Sequence, residues 1–281
     1  MNTTTSHHAD RPIALITGGS RGIGLALARQ FLQHDHDLIL VARDETTLAR
    51  AAEDLEREYP GRAVTPISLD LSVADAPAEL FRRLKAKGIQ IDVLVNNAGV
   101  GDYGPFAESD PDRLSAMMRL NMQAPTELIR RFLPAMIARG SGRILNVASL
   151  TAFFSGGANW SSYVASKHYM LAFSRGLRGE LAGSGVSVTA LCPGPVATDF
   201  VQRSAVGGTR VYRWLSKLDP DAVARRACRA AMAGRAVVVP GGVNKLLAFL
   251  GELPPRGIAR TVFAFLLRGN ASGETLPERV A

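Results

Sequence analysis

Tyr163 and Lys167 are the two side chains in this sequence best suited to proton transfer. They begin a stretch of helical periodicity, and their i, i+4 spacing places both on one helix face, one turn apart. A phenol is a poor acid or base at neutral pH, because its ordinary pKa is about 10. A neighbouring ammonium stabilises the phenolate, so we expect Lys167 to lower the pKa of Tyr163 and suit it to protonating a carbonyl oxygen. Because this spacing also occurs by chance, the surrounding motifs decide whether the pair is catalytic.

A glycine-rich turn near the N-terminus has the spacing of a phosphate-binding loop. The strand-like run Ile13–Thr17 leads into Gly18-Gly-Ser-Arg-Gly22-Ile-Gly24, and an apolar helical stretch follows. Glycines at these positions permit a tight turn and let backbone N–H groups approach a pyrophosphate. The N-terminus of the following helix adds donors and partial positive charge. The motif predicts a dinucleotide site, although on its own such a motif is as often a structural turn that binds no ligand.

Arg21 and Arg43 indicate which dinucleotide the site prefers. NAD sites usually place a carboxylate at the end of the second strand, facing the ribose 2′-hydroxyl. Here the run Leu38–Ala42 is followed by Arg43 instead, and Arg21 lies in the glycine turn on the same side. Two guanidinium groups suit a 2′-phosphate, because arginine offers planar, charge-assisted donors. We therefore predict NADP(H) as the cofactor; the alternative is that both arginines are solvated surface charges.

Two further segments follow predicted strands. Asp70 and Leu71 come after the third strand, where an adenine edge could be hydrogen-bonded. Asn96-Asn97-Ala98-Gly99 follows the fourth, and its small residues would let the backbone pack against a cofactor. We assign Asn97 to the cofactor, whereas Asn96 fits a clamp between strand ends as well as a ligand contact.

All these motifs depend on a regular alternation of strands and helices through residues 11–199. The predicted strands are Ile13–Thr17, Leu38–Ala42, Ala63–Leu69, Val93–Asn96, Arg143–Val147, Val186–Leu191 and Ala236–Val239. The predicted helices are Ile23–Gln33, Thr46–Glu58, Pro77–Lys87, Arg113–Arg139, Ser161–Leu181 and Asp219–Met232. Continuous apolar strands are typical of a parallel sheet buried on both faces, so the alternation predicts a doubly wound α/β sheet. Such sheets bind ligands beyond the carboxyl ends of their strands, where the motifs lie.

Together the motifs resemble the classical short-chain dehydrogenase/reductase family. Thr17–Gly24, Asn96–Gly99, the Tyr163/Lys167 pair and Pro193-Gly194 occur in family order and at family intervals. The resemblance covers residues 11 to about 199, and the joint pattern is specific although each motif is weak. It implies a Rossmann-type, doubly wound parallel sheet of about seven strands with helices on both faces.

The resemblance implies catalytic roles for four residues. Tyr163 would be the general acid/base, and Lys167 would lower its pKa and hydrogen-bond the nicotinamide ribose. Ser149, at the end of the fifth strand, would orient and polarise the substrate carbonyl. Asn121 would hold a water that relays protons to the lysine; its alternative is a polar kink residue in a long helix.

The spacing around the serine departs from the family pattern. Ser149 precedes Tyr163 by fourteen residues, where thirteen is usual. We interpret this as one extra residue in the Phe153–Trp160 loop, with Thr151 as the alternative for the role of the serine.

The segment Pro193–Thr198 resembles the one that covers the nicotinamide in the family, with Thr198 bonding its carboxamide. The residues predicted to bind the cofactor are Gly18, Ser20, Arg21, Gly22, Ile23, Gly24, Arg43, Asp70, Leu71, Asn97, Ala98, Gly99, Tyr163, Lys167, Pro193, Gly194, Val196 and Thr198. No metal-ligand cluster occurs in the sequence, and Ser149 and Tyr163 could replace a Lewis acid at the carbonyl. Cys192 is interpreted as core packing, because no neighbouring base would activate its thiol.

Residues 200–217 are predicted to form the variable lid over the substrate. The apolar candidates for this pocket are Phe200, Val201, Val206, Val211, Tyr212, Trp214 and Leu215 in the lid, with Val100, Tyr103, Phe153, Phe154 and Trp160 outside it. Their convergence on one pocket mouth would favour an apolar substrate. Some of them are equally well explained as core or oligomer contacts.

Residues 241–281 exceed the family core, which we delimit as one domain over residues 11–240 behind a disordered leader at 1–10. Lys245–Leu250 and Ile258–Leu267 are apolar segments flanked by arginines, and both are too short to span a bilayer. They could cover the substrate pocket, pack against the body or a second subunit, or lie on an anionic membrane surface.

The net charge of +8 is confined to the end of the chain. Residues 1–199 hold 20 basic and 20 acidic residues, whereas residues 200–281 hold 13 and 5. A neutral first part and the lack of a recognition motif argue against nucleic acid binding. Two cysteines form no disulfide framework, and Met1–Asp10 has no apolar signal segment, so we expect a cytoplasmic protein.

The leading functional hypothesis is an NADP(H)-dependent carbonyl reductase that can also act as an alcohol dehydrogenase. Its substrate would be a small apolar or lipid-like ketone or aldehyde. A second hypothesis is a 3-oxoacyl-thioester reductase acting on acyl-carrier or coenzyme A substrates. A non-catalytic dinucleotide-binding or membrane-associated scaffold is the alternative from another class. By resemblance we expect a homo-oligomer, a dimer or tetramer.

Overall fold

Seven parallel strands form one sheet in the computed structural model, which describes residues 11–204, 206–210, 212, 215, 217–253 and 265. The strands are β1 (Ile13–Thr17), β2 (Asp37–Ala42), β3 (Val64–Ser68), β4 (Val93–Asn96), β5 (Gly142–Val147), β6 (Val186–Leu191) and β7 (Val237–Val238). Their order is β3-β2-β1-β4-β5-β6-β7, and every pairing is parallel. The chain winds outward in both directions from β1 and β4, so the predicted Rossmann-type sheet is confirmed.

Helices connect successive strands across both faces of the sheet. Within the described residues they are α1 (Gly22–Gln33), α2 (Glu45–Glu58), α3 (Ala76–Ala86), α4 (Pro111–Met118), α5 (Ala124–Ala138), α6 (Ser161–Glu180), α7 (Phe200–Arg203), α8 (Pro220–Met232) and α9 (Gly242–Glu252). Single 3₁₀ turns occur at Phe106–Glu108 and Leu150–Phe153. All the predicted strands, and all but one of the predicted helices, end within one residue of the observed bounds.

The single long helix predicted over Arg113–Arg139 is wrong. In the structure α4 ends at Met118, a π-helical turn covers Arg119–Gln123, and α5 begins at Ala124. Pro125 has no backbone N–H, so it cannot donate the usual helical hydrogen bond to the carbonyl of Asn121 four residues earlier. The wider turn accommodates this loss and places Asn121 in an irregular segment.

The sheet is buried on both faces by helices. Ile16 of β1 lies in the core cluster shared with α1, α2 and α8, while Leu15 beside it lies in the cluster shared with α3, α5 and α6. Alternate residues of each central strand therefore enter opposite cores, which explains the continuous apolar runs in the sequence.

Helix α9 packs at the carboxyl end of the sheet, beside the predicted catalytic segments. A Cβ at Gly251 would lie 2.6 Å from the carbonyl oxygen of Phe153, so only glycine permits this approach. Near the start of the helix, a Cβ at Gly194 would lie 2.5 Å from the Asn244 side chain. The helix thus touches both the turn after β5 and the predicted nicotinamide segment.

Parts of the predicted termini lie outside the described residues. These are the leader 1–10 and the apolar segment Ile258–Leu267, apart from Phe265. The guanidinium of Arg210 lies over the Phe265 ring, 4.3 Å from its centroid. Among the described residues, no helix is long and apolar enough to cross a membrane.

Candidate active site

A cavity of about 350 Å³ lies beyond the carboxyl ends of the strands. It is lined by residues from the turns after β1, β2, β3, β4, β5 and β6, as well as from α6 and the lid. Of the predicted catalytic and cofactor residues, all line the cavity except Gly24 and Asn121. The cavity is large enough for a small-molecule site and combines polar groups with an apolar wall.

The glycine turn is shaped by close backbone contacts. Gly18 and Gly22 adopt φ values of +64° and +56°, which disfavour residues with side chains. A Cβ at Gly24 would lie 2.1 Å from the carbonyl oxygen of Gly18, so this position must be glycine for the turn to close onto α1. Gly24 shapes the turn from behind and does not line the cavity itself.

Asn97 holds the glycine turn in place. Its side-chain amide donates to the carbonyl oxygens of Thr17 and Gly18, at 2.9 and 3.1 Å. The Thr17 hydroxyl accepts from the backbone N–H groups of Asn97 and Ala98, at 3.0 Å each. Both N–H donors of the Asn97 side chain are used in hydrogen bonds to the backbone of the glycine turn. The side chain therefore mainly fixes this turn beside the cavity.

Of the two alternatives for Asn96, a clamp between strand ends or a ligand contact, the structure shows the clamp. Its amide donates to the Asn146 side chain at 2.8 Å, joining the ends of β4 and β5. Asn146 in turn donates to the Ser174 hydroxyl of α6 at 2.9 Å. Both asparagines are buried, and this network fixes the strand ends that carry the site.

Arg21 and Arg43 both line the cavity at its glycine-turn end. The Arg43 side chain is 82% exposed and lies 3.8 Å from a carboxylate oxygen of Asp70. Arg21 lies 4.0 Å from Asp199. The carboxylate of Asp44, which follows Arg43 in sequence, caps α2 by accepting from the Thr47 N–H at 2.7 Å. Hydrogen bonds from the Thr47 side chain and then its backbone N–H lower the pKa of Asp44, so the carboxylate stays charged at the start of the helix.

Ser149 and Tyr163 come together despite the extra residue between them. The Ser149 side chain interacts with the Tyr163 phenol and lowers its pKa, and its hydroxyl accepts from the Thr151 N–H at 3.2 Å. Asn159 in the Phe153–Trp160 loop, where the extra residue is predicted, has a φ of +60°. Of the two candidates for the serine's role, Ser149 is therefore the one in contact with the phenol.

The Tyr163 phenol lies in an aromatic wall. Trp160 is stacked on it with ring centroids 4.4 Å apart, and Phe200 lies 5.6 Å away on the same ring. The tyrosine is buried, with 5% of its surface exposed. Burial raises the pKa of Tyr163, as does the nearby Tyr212, while the hydrogen bond from Ser149 opposes the rise.

The expected lowering of the Tyr163 pKa by Lys167 is wrong for the protein alone. The Lys167 ammonium lies over the face of the phenol ring, 5.7 Å from its centroid, and donates to the carbonyl oxygen of Val147 at 3.0 Å. Burial lowers the pKa of Lys167 to about 8. Desolvation is the largest cause of both pKa shifts, because a buried ammonium and a buried phenolate are both disfavoured.

Asn121 lies close to Lys167 and does not line the cavity. Its amide accepts from the Val100 N–H at 3.0 Å and donates to the Val100 carbonyl and the Ser166 hydroxyl, at 2.9 and 3.1 Å. A Cβ at Gly99 would lie 3.1 Å from the Asn121 oxygen and 3.3 Å from the Lys167 nitrogen. The side chain of Asn121 is thus committed to the protein and fixes the segment after β4.

Several residues that line the cavity were not predicted. Ala116 and Leu120 come from the helical segments before Asn121, and nothing in the sequence distinguishes them from ordinary apolar helix positions. Leu247 of α9 lies in the segment Lys245–Leu250, for which covering the pocket was one of the predicted alternatives. Asp199, which pairs with Arg21, directly follows the predicted nicotinamide segment, and this adjacency could have identified it.

The two cysteines are not activated for chemistry, although Cys192 lies near Ser149 and Lys167. Cys192 and Cys228 are buried, and burial raises the pKa of each thiol to about 12. Neither is a nucleophile at neutral pH. Within the described part of the chain, no three His, Cys, Asp or Glu residues are grouped so that they could hold a metal ion.

Known proteins are similar to this chain in sequence and fold. The ketoacyl reductase HetN of Nostoc sp. is 31% identical over 254 residues, which cover 88% of this chain and 86% of HetN. A short-chain dehydrogenase from Sphingobium yanoikuyae in complex with NADPH has a TM-score of 0.75 and 31% identity, covering 85% of this chain and 92% of that chain. The bulky-bulky ketone specific alcohol dehydrogenase from Comamonas testosteroni has a TM-score of 0.72 and 28% identity, covering 86% and 91%.

Residues 12–206 match the family described as short chain dehydrogenase. That match spans more than half of the chain and ends in the predicted lid. The similarity to HetN and to the Sphingobium enzyme covers more of the chain than the family match does. The chain belongs to the short-chain dehydrogenase family.

Proposed function

We propose that this protein is an NADP(H)-dependent oxidoreductase that interconverts a ketone or aldehyde with the corresponding alcohol. The observation that carries the proposal is the meeting of Ser149, Tyr163 and Lys167 in the cavity that also contains the glycine turn. A dinucleotide held along this cavity would have one end at the arginines and the other at the phenol.

The residues present fit an NADP dinucleotide. The glycine turn leaves no room for side chains and exposes backbone to the cavity, as a pyrophosphate requires. Arg21 and Arg43 supply positive charge at the 2′-phosphate end, and the Asp44 carboxylate is committed to capping α2. When bound, the nicotinamide of NADPH supplies the hydride.

Tyr163 and Ser149 would act on the oxygen of the substrate. Because burial raises its pKa, Tyr163 is a neutral phenol at neutral pH and can donate its proton to the carbonyl oxygen in the reductive direction. The Ser149 hydroxyl supplies a second hydrogen bond to that oxygen. When Tyr163 gives up its proton, the nearby Lys167 ammonium would stabilise the phenolate that forms. Asn121 would act by positioning the segment after β4.

An apolar substrate suits the remaining wall of the cavity. Phe154, Trp160 and Phe200 contribute rings, while Leu215 and Leu247 contribute aliphatic surface. The relative from Comamonas is named for bulky ketones, which supports a wide apolar pocket. The resemblance to a ketoacyl reductase supports 3-oxoacyl thioesters as the second candidate class.

A turnover screen tests the proposal. NADPH oxidation should be followed at 340 nm with ketones and aldehydes of graded chain length, and with 3-oxoacyl thioesters of coenzyme A. We expect kcat/KM to rise with apolar size among the free ketones. Equal turnover of small polar and long-chain ketones would contradict the apolar pocket. Absence of NADPH oxidation across the whole panel would contradict the function.

We also propose a homo-oligomer in the cytoplasm, built from one catalytic domain over residues 11–240 and an extension at 241–281. The extension would complete the pocket, since Leu247 of α9 lines the cavity. Contact of the basic tail with anionic membranes is the alternative for residues beyond α9. Sedimentation velocity, with and without anionic vesicles, measures both properties.

A further inference from the structure

The reaction cavity contains a second tyrosine, Tyr212, which hydride transfer to a simple carbonyl does not require. Tyr212 belongs to the lid and lines the same cavity as Ser149 and Tyr163. Its ring meets Trp160 edge-on, with centroids 6.5 Å apart, and Trp160 is stacked on Tyr163. Tyr212 therefore lies one aromatic ring away from the proposed acid.

The Tyr212 hydroxyl has no hydrogen-bond partner among the residues that the structure describes. Burial raises its pKa, so it remains a neutral hydroxyl that can donate at neutral pH. Thr151 also lines the cavity, and its buried hydroxyl oxygen likewise has no partner among the described residues. Leaving the buried Thr151 hydroxyl unpaired is costly, and a ligand oxygen would remove that cost. The Tyr212 side chain is only partly buried, so its hydroxyl is accessible to a ligand in the cavity.

The oxygen that reacts does not need these extra donors. A carbonyl oxygen has two lone pairs, and the hydroxyls of Ser149 and Tyr163 already provide two donors for them. A third donor on the lid is therefore available to a different acceptor on the same substrate. Besides Tyr212 and Thr151, the buried indole N–H of Trp160 is another cavity-lining donor that lacks a partner among the described residues.

We propose that Tyr212 is a specificity-determining residue whose hydroxyl donates a hydrogen bond to a second oxygen of the substrate. The preferred substrates are then apolar ketones, or the matching alcohols, that carry a further hydroxyl or carbonyl group. This inference rests on the proposed carbonyl reductase activity and refines its substrate class. Tyr212 selects the substrate, while Tyr163 transfers the proton.

The test compares propiophenone with 2-hydroxypropiophenone, two ketones that differ by one hydroxyl. Their kcat/KM values are measured with NADPH for the wild-type protein and for Tyr212→Phe, which removes only the phenol oxygen. The preference is the ratio of kcat/KM for 2-hydroxypropiophenone to that for propiophenone. Comparing this ratio between the two proteins removes the difference in intrinsic reactivity of the two ketones. We expect the preference for the hydroxyketone to fall about 3- to 10-fold in Tyr212→Phe, mainly through KM, as for one neutral hydrogen bond.

Two control variants separate this effect from general damage. Tyr169→Phe removes a phenol hydroxyl on α6 that bonds Thr126 outside the cavity, and it should leave the preference unchanged. Thr151→Val removes the other unpaired hydroxyl of the cavity.

The outcomes distinguish the inference from the proposed function. If wild type reduces both ketones and the preference for the hydroxyketone is unchanged in Tyr212→Phe, the role of Tyr212 is overturned. The proposed reductase activity is then unaffected. If the preference for the hydroxyketone falls only in Thr151→Val, then Thr151 binds the second oxygen, and the assignment to Tyr212 is also overturned. If wild type reduces no carbonyl compound of the screen or of this pair, the proposed function fails and this inference fails with it.

Discussion

Replacing Arg43 by Ala should weaken the binding of NADPH while leaving the fold and the binding of NADH intact. The Arg43 side chain is 82% exposed, and its ion pair with Asp70 spans 3.8 Å. An exposed pair of this kind contributes about 0–1 kcal/mol. The free energy of unfolding should therefore change by less than about 1 kcal/mol.

The loss in NADPH affinity follows from one charge-assisted contact. A hydrogen bond from a guanidinium to a phosphate contributes about 1.5–3 kcal/mol, which corresponds to about 10- to 150-fold in Kd. Because Arg43 is highly exposed, solvent screening favours the lower end. We expect the Kd for NADPH to rise about 10- to 30-fold, whereas NADH, which has a neutral hydroxyl at this position, should change less than about twofold.

Fluorescence titration of both dinucleotides at two ionic strengths measures this effect. The difference between wild type and Arg43→Ala should shrink as salt is added. Arg57→Ala is the matched control, since Arg57 is also exposed and ion-paired, with Asp54 on α2, but lies outside the cavity. An unchanged NADPH Kd, or an equal loss for NADPH and NADH, would refute the assignment of Arg43 to the 2′-phosphate.

Two other predictions test the buried lysine and the packing of α9. Burial lowers the pKa of Lys167 from 10.5 to about 8. Between pH 8 and pH 10.5, Lys167 is therefore mostly protonated in the unfolded chain and mostly neutral in the native protein. The free energy of unfolding of wild type relative to Lys167→Met should therefore rise with pH across this window in denaturant titrations, and a constant difference would contradict it. Gly251→Ala should lower both Tm and kcat, because its Cβ would clash with Phe153. Gly176→Ala, on an exposed turn of α6 with nothing within 4 Å, should stabilise by about 0.5–1 kcal/mol, and equal Tm values for the two variants would be inconsistent with this packing.

The sheet and the strand-end motifs could be predicted because both depend on local sequence. Apolar runs and helical periods repeat with regular spacing, and the polar residues at strand ends must meet at one edge of a parallel sheet. The break before α5 was missed because the apolar period continues through it. Pro125 was the available signal, since its missing N–H disturbs the hydrogen bond to Asn121.

The electrostatics and the apolar wall of the site could not be predicted in the same way. The spacing of Tyr163 and Lys167 indicates that they are neighbours, but it does not reveal how deeply both are buried. Burial decides the direction of both pKa shifts. Leu247 reaches the cavity only because Gly251 lets α9 approach the turn after β5, and such a tertiary contact has no local pattern.

The most direct test of the account is single-turnover NADPH oxidation by Tyr163→Phe, with a ketone that wild type reduces. The account predicts that the rate falls by at least about 100-fold, because the proton donor is lost, while the Kd for NADPH changes less than about threefold. Tyr169→Phe, on the same helix but outside the cavity, should turn over like wild type. A Tyr163→Phe protein that binds NADPH and oxidises it at the wild-type rate would contradict the central claim.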